Sequence, residues 1–258
     1  MAILSTKEVR MYLRIRNLCG LLGIILPWIA LFSAGIVLNK PEGWWWSISA
    51  TYYQSPALVG VLVPACIVMM SYIGYDWKDN LITTLTGLFG LGIVLFPCKV
   101  DWIADGSAVG FFQLPIEVSQ IVHTACALLF FLCAAVNTLC QFTKHGATMT
   151  DRKKIRNTIY RICGWGMIGL LALLVLFVLV NAPNWLVMVL EILLLHLFGF
   201  AWLVKGEFFG FLNDKEEDIP IAGSGGTGST GSSTAPTTRS TRSTRSSADS
   251  DIRLEVND

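Results

Sequence analysis

Six long apolar stretches alternate with short polar segments along most of the chain. Each has about the length, roughly 20 residues, that a helix needs to cross the hydrocarbon core of a bilayer. Lipid cannot satisfy free backbone groups, and the stretches lack the polar alternation of barrel strands, so each is predicted to be an α-helix. The pattern therefore predicts an all-α, polytopic membrane helix bundle with six transmembrane helices. The predicted spans are residues 18–38, 56–75, 81–98, 118–142, 162–182 and 185–204.

Composition supports this prediction and divides the chain into three parts. The 258 residues are 53% hydrophobic and 14% charged, whereas about a quarter of the residues in a soluble domain are charged. The net charge of +1 gives no indication of a nucleic-acid partner. We predict a basic cytosolic N-terminus (1–17), a six-span domain (18–213) and a disordered Ser/Thr/Gly-rich tail (214–258), because such a tail buries too little apolar surface to offset its ordering entropy.

The basic residues predict the orientation. With the N-terminus inside, the outer segments carry only Lys40 and Lys99. The inner segments then carry Lys7, Arg10, Arg14, Arg16, Lys78, Lys144, Arg152, Lys153, Lys154, Arg156, Arg161, Lys205 and Lys215. This asymmetry follows the positive-inside rule and predicts that both termini are cytosolic. The sequence does not distinguish a plasma membrane from an endomembrane.

Tryptophans and glycines indicate where helices meet lipid and each other. Trp44, Trp45, Trp46 and Trp185 suit the outer headgroup belt. Small residues let helices approach closely in lipid, so the glycines of the third and fifth spans are predicted to pack against neighbouring helices. These glycines are Gly87, Gly90, Gly92, Gly164, Gly166 and Gly169.

Three ionisable residues lie inside the predicted spans, where such groups are costly and often functional: His123, Glu191 and His196. Ser119 is one turn before His123, so one face of that helix is small and polar and is expected to form interhelical hydrogen bonds or to face a substrate. Glu191 and His196 are about 140° apart around their helix and do not share a face. A hydrogen bond between His123 and Glu191 is expected if the fourth and sixth spans are neighbours.

The outer segment before the second span is polar and aromatic. Its Ser47, Ser49, Tyr52 and Tyr53, with Lys99 and Asp101 of the next outer loop, are candidates for an outward cup that binds a lipid headgroup or a small polar ligand. Helix capping and turn formation by the serines is an equally good interpretation. The ligand-binding candidates also include Ser119, His123, Glu191 and His196.

Catalysis is conceivable through His123 with Glu191 or Ser49. The chain has no HExxH, GxSxG, phosphate-binding glycine loop or CxxC pair, and its histidines and Glu191 lack the spacing of a known metal motif. We therefore predict no metal and no cofactor.

The order of short motifs resembles a known superfamily. Ser47-Ile48-Ser49 is followed by Pro56, the third span ends in Gly90-Leu91-Gly92-Ile93-Val94-Leu95-Phe96-Pro97, and His123-Thr124-Ala125 and Phe130-Phe131 come next. Over about residues 10–210 this resembles the six-span superfamily of damage-regulated autophagy modulators, GPI-anchor lipid remodelling proteins and uncharacterised prokaryotic membrane proteins. The resemblance implies six spans with both ends inside and a connection to membrane lipids. The autophagy branch has an acidic residue and a glycine after the first serine, where this chain has Ser49-Ala50-Thr51.

Three functions stay open from the sequence. The favoured one is a non-enzymatic membrane protein that binds or organises lipid, or scaffolds a cytosolic partner through its tail. The second is an intramembrane lipid hydrolase or acyltransferase, and the third is a proton-coupled transporter or channel that uses Glu191 and His196. The oligomeric state is not readable from the sequence.

Overall fold

A computed structural model describes residues 6–37, 46–74, 76–144 and 149–214, and these residues are predominantly helical. Trp44, Trp45 and the predicted tail beyond Asp214 lie outside the described residues. The helices are α1 (Thr6–Phe32), α2 (Ala57–Met70), α3 (Trp77–Leu95), α4 (Ile116–Val136), α5 (Asp151–Leu179) and α6 (Asn184–Lys205).

Four helical segments are long and apolar enough to cross a membrane: Val9–Gly35, Ile116–Gln141, Asp151–Leu179 and Asn184–Lys205. They identify the chain as a helical membrane protein and coincide with four of the six predicted spans. The other two positions hold shorter or more polar helices. The 14 residues of α2 extend about 21 Å, less than the roughly 30 Å of a hydrocarbon core. The first turn of α3 carries Lys78, Asp79 and Asn80.

The six helices form a closed ring in which each helix packs against its neighbours in the chain, and α1 packs against α6. The ring closes where Gly20 of α1 meets Gly199 of α6. A Cβ at Gly199 would lie 2.6 Å from the carbonyl oxygen of Gly20, so only glycine permits this approach of the two backbones. Bulky side chains fill the interior of the ring, including Phe130, Phe198 and Trp202.

Short elements lie at both ends of the ring. We call the end with the connections α1–α2, α3–α4 and α5–α6 the cap end, and the opposite end the base end. At the cap end are a 3-10 helix, Ser49–Tyr53, and a two-stranded hairpin of β1 (Ala108–Val109) and β2 (Leu114–Pro115). The hairpin is a small addition to a predominantly helical fold, and its turn has positive φ at Gly110 and Gln113. Five π-helical residues, Asn137–Gln141, extend α4 at the base end; we call them the π-turn.

The two predicted boundaries, at residues 17 and 214, fall on residues that the structure describes. α1 begins at Thr6 and continues through the predicted boundary at residue 17. At the other boundary, Asp214 is bound to the start of α5, where Arg156 contacts its carboxylate at 2.5 Å. Partial burial opposes ionisation of this carboxyl, but the Arg156 hydrogen bond prevails and lowers the pKa of Asp214.

Candidate functional site

The cap segment, residues 46–56, carries four of the ten predicted ligand-binding candidates: Ser47, Ser49, Tyr52 and Tyr53. Its serines form local turn and cap bonds: Ser47 Oγ accepts from the Ala50 amide at 2.9 Å, and Ser55 Oγ accepts from the Ala57 amide at 3.1 Å. Thr51 Oγ1 donates to the Ile48 carbonyl at 2.6 Å. The capping and turn interpretation therefore accounts for Ser47, while Tyr52 packs partly buried against the core of the ring.

Glu191 of α6 holds the start of the 3-10 helix. Its carboxylate accepts a hydrogen bond from the Ile48 amide at 2.5 Å and one from Ser49 Oγ at 3.3 Å. A carboxylate at this position satisfies amides that have no partner within so short a helix. The structure thus brings Ser49 and Glu191 together, as a clamp between α6 and the cap segment.

The cap segment and the α3–α4 connection pack against each other. Ala50, Cys98 and Val100 form a small buried cluster, Tyr53 Oη donates to the Cys98 carbonyl at 2.8 Å, and Trp46 packs on Trp102. Both segments of the predicted cup are therefore adjacent, but apolar side chains fill the space between them.

Lys99 lies at the exposed rim of this cap and pairs with residues other than Asp101. Its ammonium is 2.6 Å from Asp105 and 3.9 Å from Glu117. The hydrogen bond from Lys99 to Asp105 raises the pKa of Lys99 and lowers the pKa of Asp105. Asp101 is exposed nearby and adds to the field at Lys99.

His123 and Ser119 of α4 hold the C-terminal end of α3. His123 Nδ1 lies 2.9 Å from the Phe96 carbonyl and 3.1 Å from the Ile93 carbonyl, so this nitrogen carries the proton and donates. Ser119 Oγ donates to the Pro97 carbonyl at 2.7 Å. Carbonyl groups at the end of a helix have no hydrogen-bond partner within that helix. Ser119 and His123 provide partners for them, so the polar face of α4 forms interhelical hydrogen bonds, which is one of the two roles expected from its sequence.

His196 contacts α1 on the opposite side of α6 from the clamp. Trp28 Nε1 donates to His196 Nε2 at 3.1 Å, and His196 Nδ1 donates to the Ile192 carbonyl at 2.7 Å. These partners assign a neutral imidazole with its proton on Nδ1. The separation of Glu191 and His196 on two faces is as predicted.

The predicted catalytic arrangement is not formed among the described residues. His123 binds α3, whereas Glu191 binds the cap segment, so the hydrogen bond that was expected for neighbouring fourth and sixth spans is not formed between these two residues. The reason is the ring topology, because α3 lies beside α4 and α1 lies beside α6. Within the same residues, no group of three His, Cys, Asp or Glu side chains could hold a metal ion.

Burial of α4 and α5 falls toward the cap-end half of the ring, and their sequences do not predict this change. Thr124 is seven residues before Phe131 and therefore lies on the same face of α4. Phe131 is 9% exposed, yet Thr124 is exposed. This face of α4 is therefore buried at Phe131, nearer the base end, and exposed to the surroundings at Thr124, nearer the cap end.

α5 shows the same change along its length. Near the base end, Leu139 lies directly over Gly164, and the buried stripe of α5 includes Tyr160 and Met167. From Ile168 to Leu179 none of its residues is buried. α4 and α5 therefore bury less of their surface toward the cap end. We call the surface that α4 and α5 present there the lateral cleft; Gln120, Thr124, Leu128, Leu171 and Leu174, all exposed or partly exposed, lie on it.

A small apolar void lies in the interior of the ring. It has a volume of about 10 Å³ and is lined by side chains such as Leu62, Cys66, Phe130 and Phe198. A space of this size holds about one water molecule, and apolar voids of this kind stay dry.

The fold and these contacts define a helical membrane protein whose intramembrane polar groups bind other parts of the same ring. No family model, curated protein or solved structure matches the chain.

Proposed function

We propose that this chain is a six-span membrane protein, with both termini cytosolic, that binds a phospholipid of the outer leaflet in the lateral cleft without catalysing a reaction on it. The observation that carries the proposal is the exposed Thr124 face of α4, which continues a buried face.

The six-span arrangement is supported by the ring and the charge pattern. All six helices alternate in direction between the two ends, so α2 and α3 occupy the same layer as the four long helices. The base end carries the basic segments, and the positive-inside rule supports a cytosolic position for it. The cap end is then outside.

The position of the cleft favours an acyl chain as its occupant. In the proposed orientation, this surface between two apolar helices faces the hydrocarbon of the outer leaflet. Its walls are apolar, with side chains such as Leu128, Leu171 and Leu174. Binding sites of this kind combine apolar walls with a few polar groups that fix the orientation of the ligand.

Polar groups occur at the cap end of the cleft. Gln120 accepts a hydrogen bond from the Lys99 amide at 2.5 Å and donates to Thr124 Oγ1 at 2.9 Å. The ammonium of Lys99 and the carboxylates of Asp105 and Glu117 lie at the same rim. Because both signs of charge are present, a zwitterionic headgroup fits better than an anionic one.

Two alternatives receive less support from the geometry. A hydrolase needs a nucleophile and a base within hydrogen-bond reach, and Ser49 is bonded to Glu191 while His123 is bonded to α3. A proton relay needs connected polar groups, whereas His196 and Glu191 bind different neighbours and the central void is apolar.

We keep the six-span superfamily as a proposal for the relatives of this chain. The motifs that carry the resemblance contact each other at the α3–α4 pair: Gly90 packs on Phe130, and Pro97 bonds to Ser119. The predicted cytosolic partner of the tail is likewise a proposal, based on its Ser/Thr/Arg-rich composition.

Lipid occupancy of the cleft is tested by filling it. Thr124→Trp places an indole in the cleft, while Ala125→Trp places the same side chain on the neighbouring exposed face of α4. In bilayers with spin-labelled phosphatidylcholine, we expect Thr124→Trp to lower the affinity of the motionally restricted lipid about tenfold, since overpacking costs roughly 1–3 kcal/mol.

Ala125→Trp serves as the matched control and should leave the restricted lipid unchanged. An anionic spin-labelled lipid should bind more weakly than the zwitterionic one in the unsubstituted protein. Equal lipid restriction in the two tryptophan variants would contradict the proposal.

A further inference from the structure

The first turns of α1, at the base end, carry a cluster of exposed cations. Lys7, Arg10 and Arg14 are spaced by three and four residues, so they lie within about 60° of one another around the helix. Together with Met11 they line a surface groove of about 270 Å³, close to the lower end of the roughly 300–1,000 Å³ that is typical of small-molecule sites. The described residues that line this groove therefore present three positive charges and no negative one.

Other cations of the base end are held by carboxylates of the protein. Lys154, for example, forms an ion pair with Asp151 at 2.8 Å. Within the part of the chain that the structure describes, Lys7 and Arg14 form no ion pair. Their charges are available to an anion from outside the chain.

The same face of α1 becomes apolar immediately beyond Arg14. Leu18 is one turn further along and 43% exposed, and Leu21, Trp28 and Phe32 continue the exposed stripe. The opposite face packs against α2 and α6. Because α1 is long and apolar enough to cross a membrane, this stripe faces acyl chains in a bilayer and the cations lie at the boundary with water. A phospholipid has the same order of groups, a charged phosphate followed by acyl chains.

We propose that Lys7, Arg10 and Arg14 bind the phosphate of an anionic phospholipid, such as phosphatidylserine, whose acyl chains lie along the apolar half of the same face. A cation near a membrane surface strengthens the binding of anionic lipid about fivefold. In the proposed orientation the base end meets the cytosolic leaflet, which is the anionic one in cells. The proposal rests on the membrane-spanning position of α1 and not on the lateral cleft, whose rim carries both signs of charge.

A probe on α1 tests this site separately from the lateral cleft. Leu18→Cys carries a bimane fluorophore one turn beyond Arg14, and phospholipids with brominated acyl chains quench it when they bind there. In phosphatidylcholine bilayers that contain the full-length protein, we expect brominated phosphatidylserine to bind about fivefold or more tightly than brominated phosphatidylcholine. The protein without Leu18→Cys, labelled in the same way, gives the background from the native cysteines.

Removal of two cations should abolish this preference. In the Leu18→Cys protein, Lys7→Gln with Arg14→Gln should make the two association constants about equal. Lys154→Gln with Arg161→Gln is the matched control, because it removes two exposed base-end cations at the same spacing on α5 and should keep the preference. The charge-retaining exchange Lys7→Arg with Arg14→Lys should keep it as well.

Inorganic phosphate has the same charged group without acyl chains. Its substitution for chloride at equal ionic strength should leave the preference unchanged, because a soluble ion lacks the contact with the apolar stripe. Equal binding of the two brominated lipids by the Leu18→Cys protein overturns the proposal. A preference that survives the loss of Lys7 and Arg14, or that inorganic phosphate abolishes, overturns it too. None of these results bears on the lateral cleft, which is tested at Thr124.

Discussion

At the scale of single residues, the structure decides what each intramembrane polar group does. The sequence identifies His123, Glu191 and His196 as unusual for their positions, because ionisable groups are costly in lipid. It does not identify their partners, which are a carbonyl pair on α3, an amide of the cap segment and Trp28 of α1. All three partners are distant in sequence, so local periodicity cannot reveal them.

Replacement of Glu191 should destabilise the cap segment. Glu191→Leu leaves the buried Ile48 amide without an acceptor, and we expect a loss of about 3 kcal/mol. Glu191→Gln keeps an acceptor oxygen and should cost about 1 kcal/mol. Thermal unfolding in detergent micelles measures both.

Glu207→Gln is the matched control for this series, because it removes a carboxylate from an exposed position at the base end. It should leave the unfolding temperature unchanged. Equal losses for Glu191→Leu and Glu207→Gln would show that the clamp has no role in stability.

At the scale of helices, the predicted packing of the glycines is confirmed for five of the six residues. Gly87, Gly90, Gly92, Gly164 and Gly166 pack against side chains or backbone of neighbouring helices, as predicted, whereas Gly169 has open space around it. The contact of Gly20 with Gly199 was missed, because the two residues are in the first and last helices and only the closed ring brings them together.

Substitution at the α1–α6 crossing should separate the two helices. In Gly199→Leu the new side chain meets the Gly20 carbonyl and Ile24, and we expect a loss of about 3 kcal/mol. Gly60→Leu is the matched control, since nothing lies within 4 Å of a Cβ at Gly60. Unfolding temperature and monodispersity in detergent measure both, and equal behaviour of the two variants would contradict the crossing.

The loss of burial along α4 and α5 toward the cap end is also a property that the sequence does not reveal. α5 is apolar on every side from Ile168 to Leu179, so its composition does not distinguish a face in contact with protein from one in contact with lipid. Only the loss of burial along the helix reveals the lateral cleft.

At the scale of the whole molecule, the proposed orientation can be measured with an impermeant maleimide on sealed vesicles of known sidedness. Asp105→Cys, in the exposed α3–α4 connection, should be labelled from the outside. Lys215→Cys should be labelled only after permeabilisation, because the positive-inside rule places it in the cytosol. The unsubstituted protein gives the background from the native cysteines, and the reverse pattern would overturn the orientation.

The sequence by itself determined that this is a helical membrane protein, where most helices lie and which few polar residues they contain. These properties follow from the local solvent requirement, since a lipid-embedded segment must be apolar and must satisfy its own backbone. Only the tertiary structure decided that the helices close into a ring, that Glu191 clamps the cap segment rather than meeting His123, and that α4 and α5 are less buried toward the cap end. Those properties depend on which apolar surfaces pack together, and in lipid that choice rests on shape and on a few distant hydrogen bonds rather than on hydrophobicity.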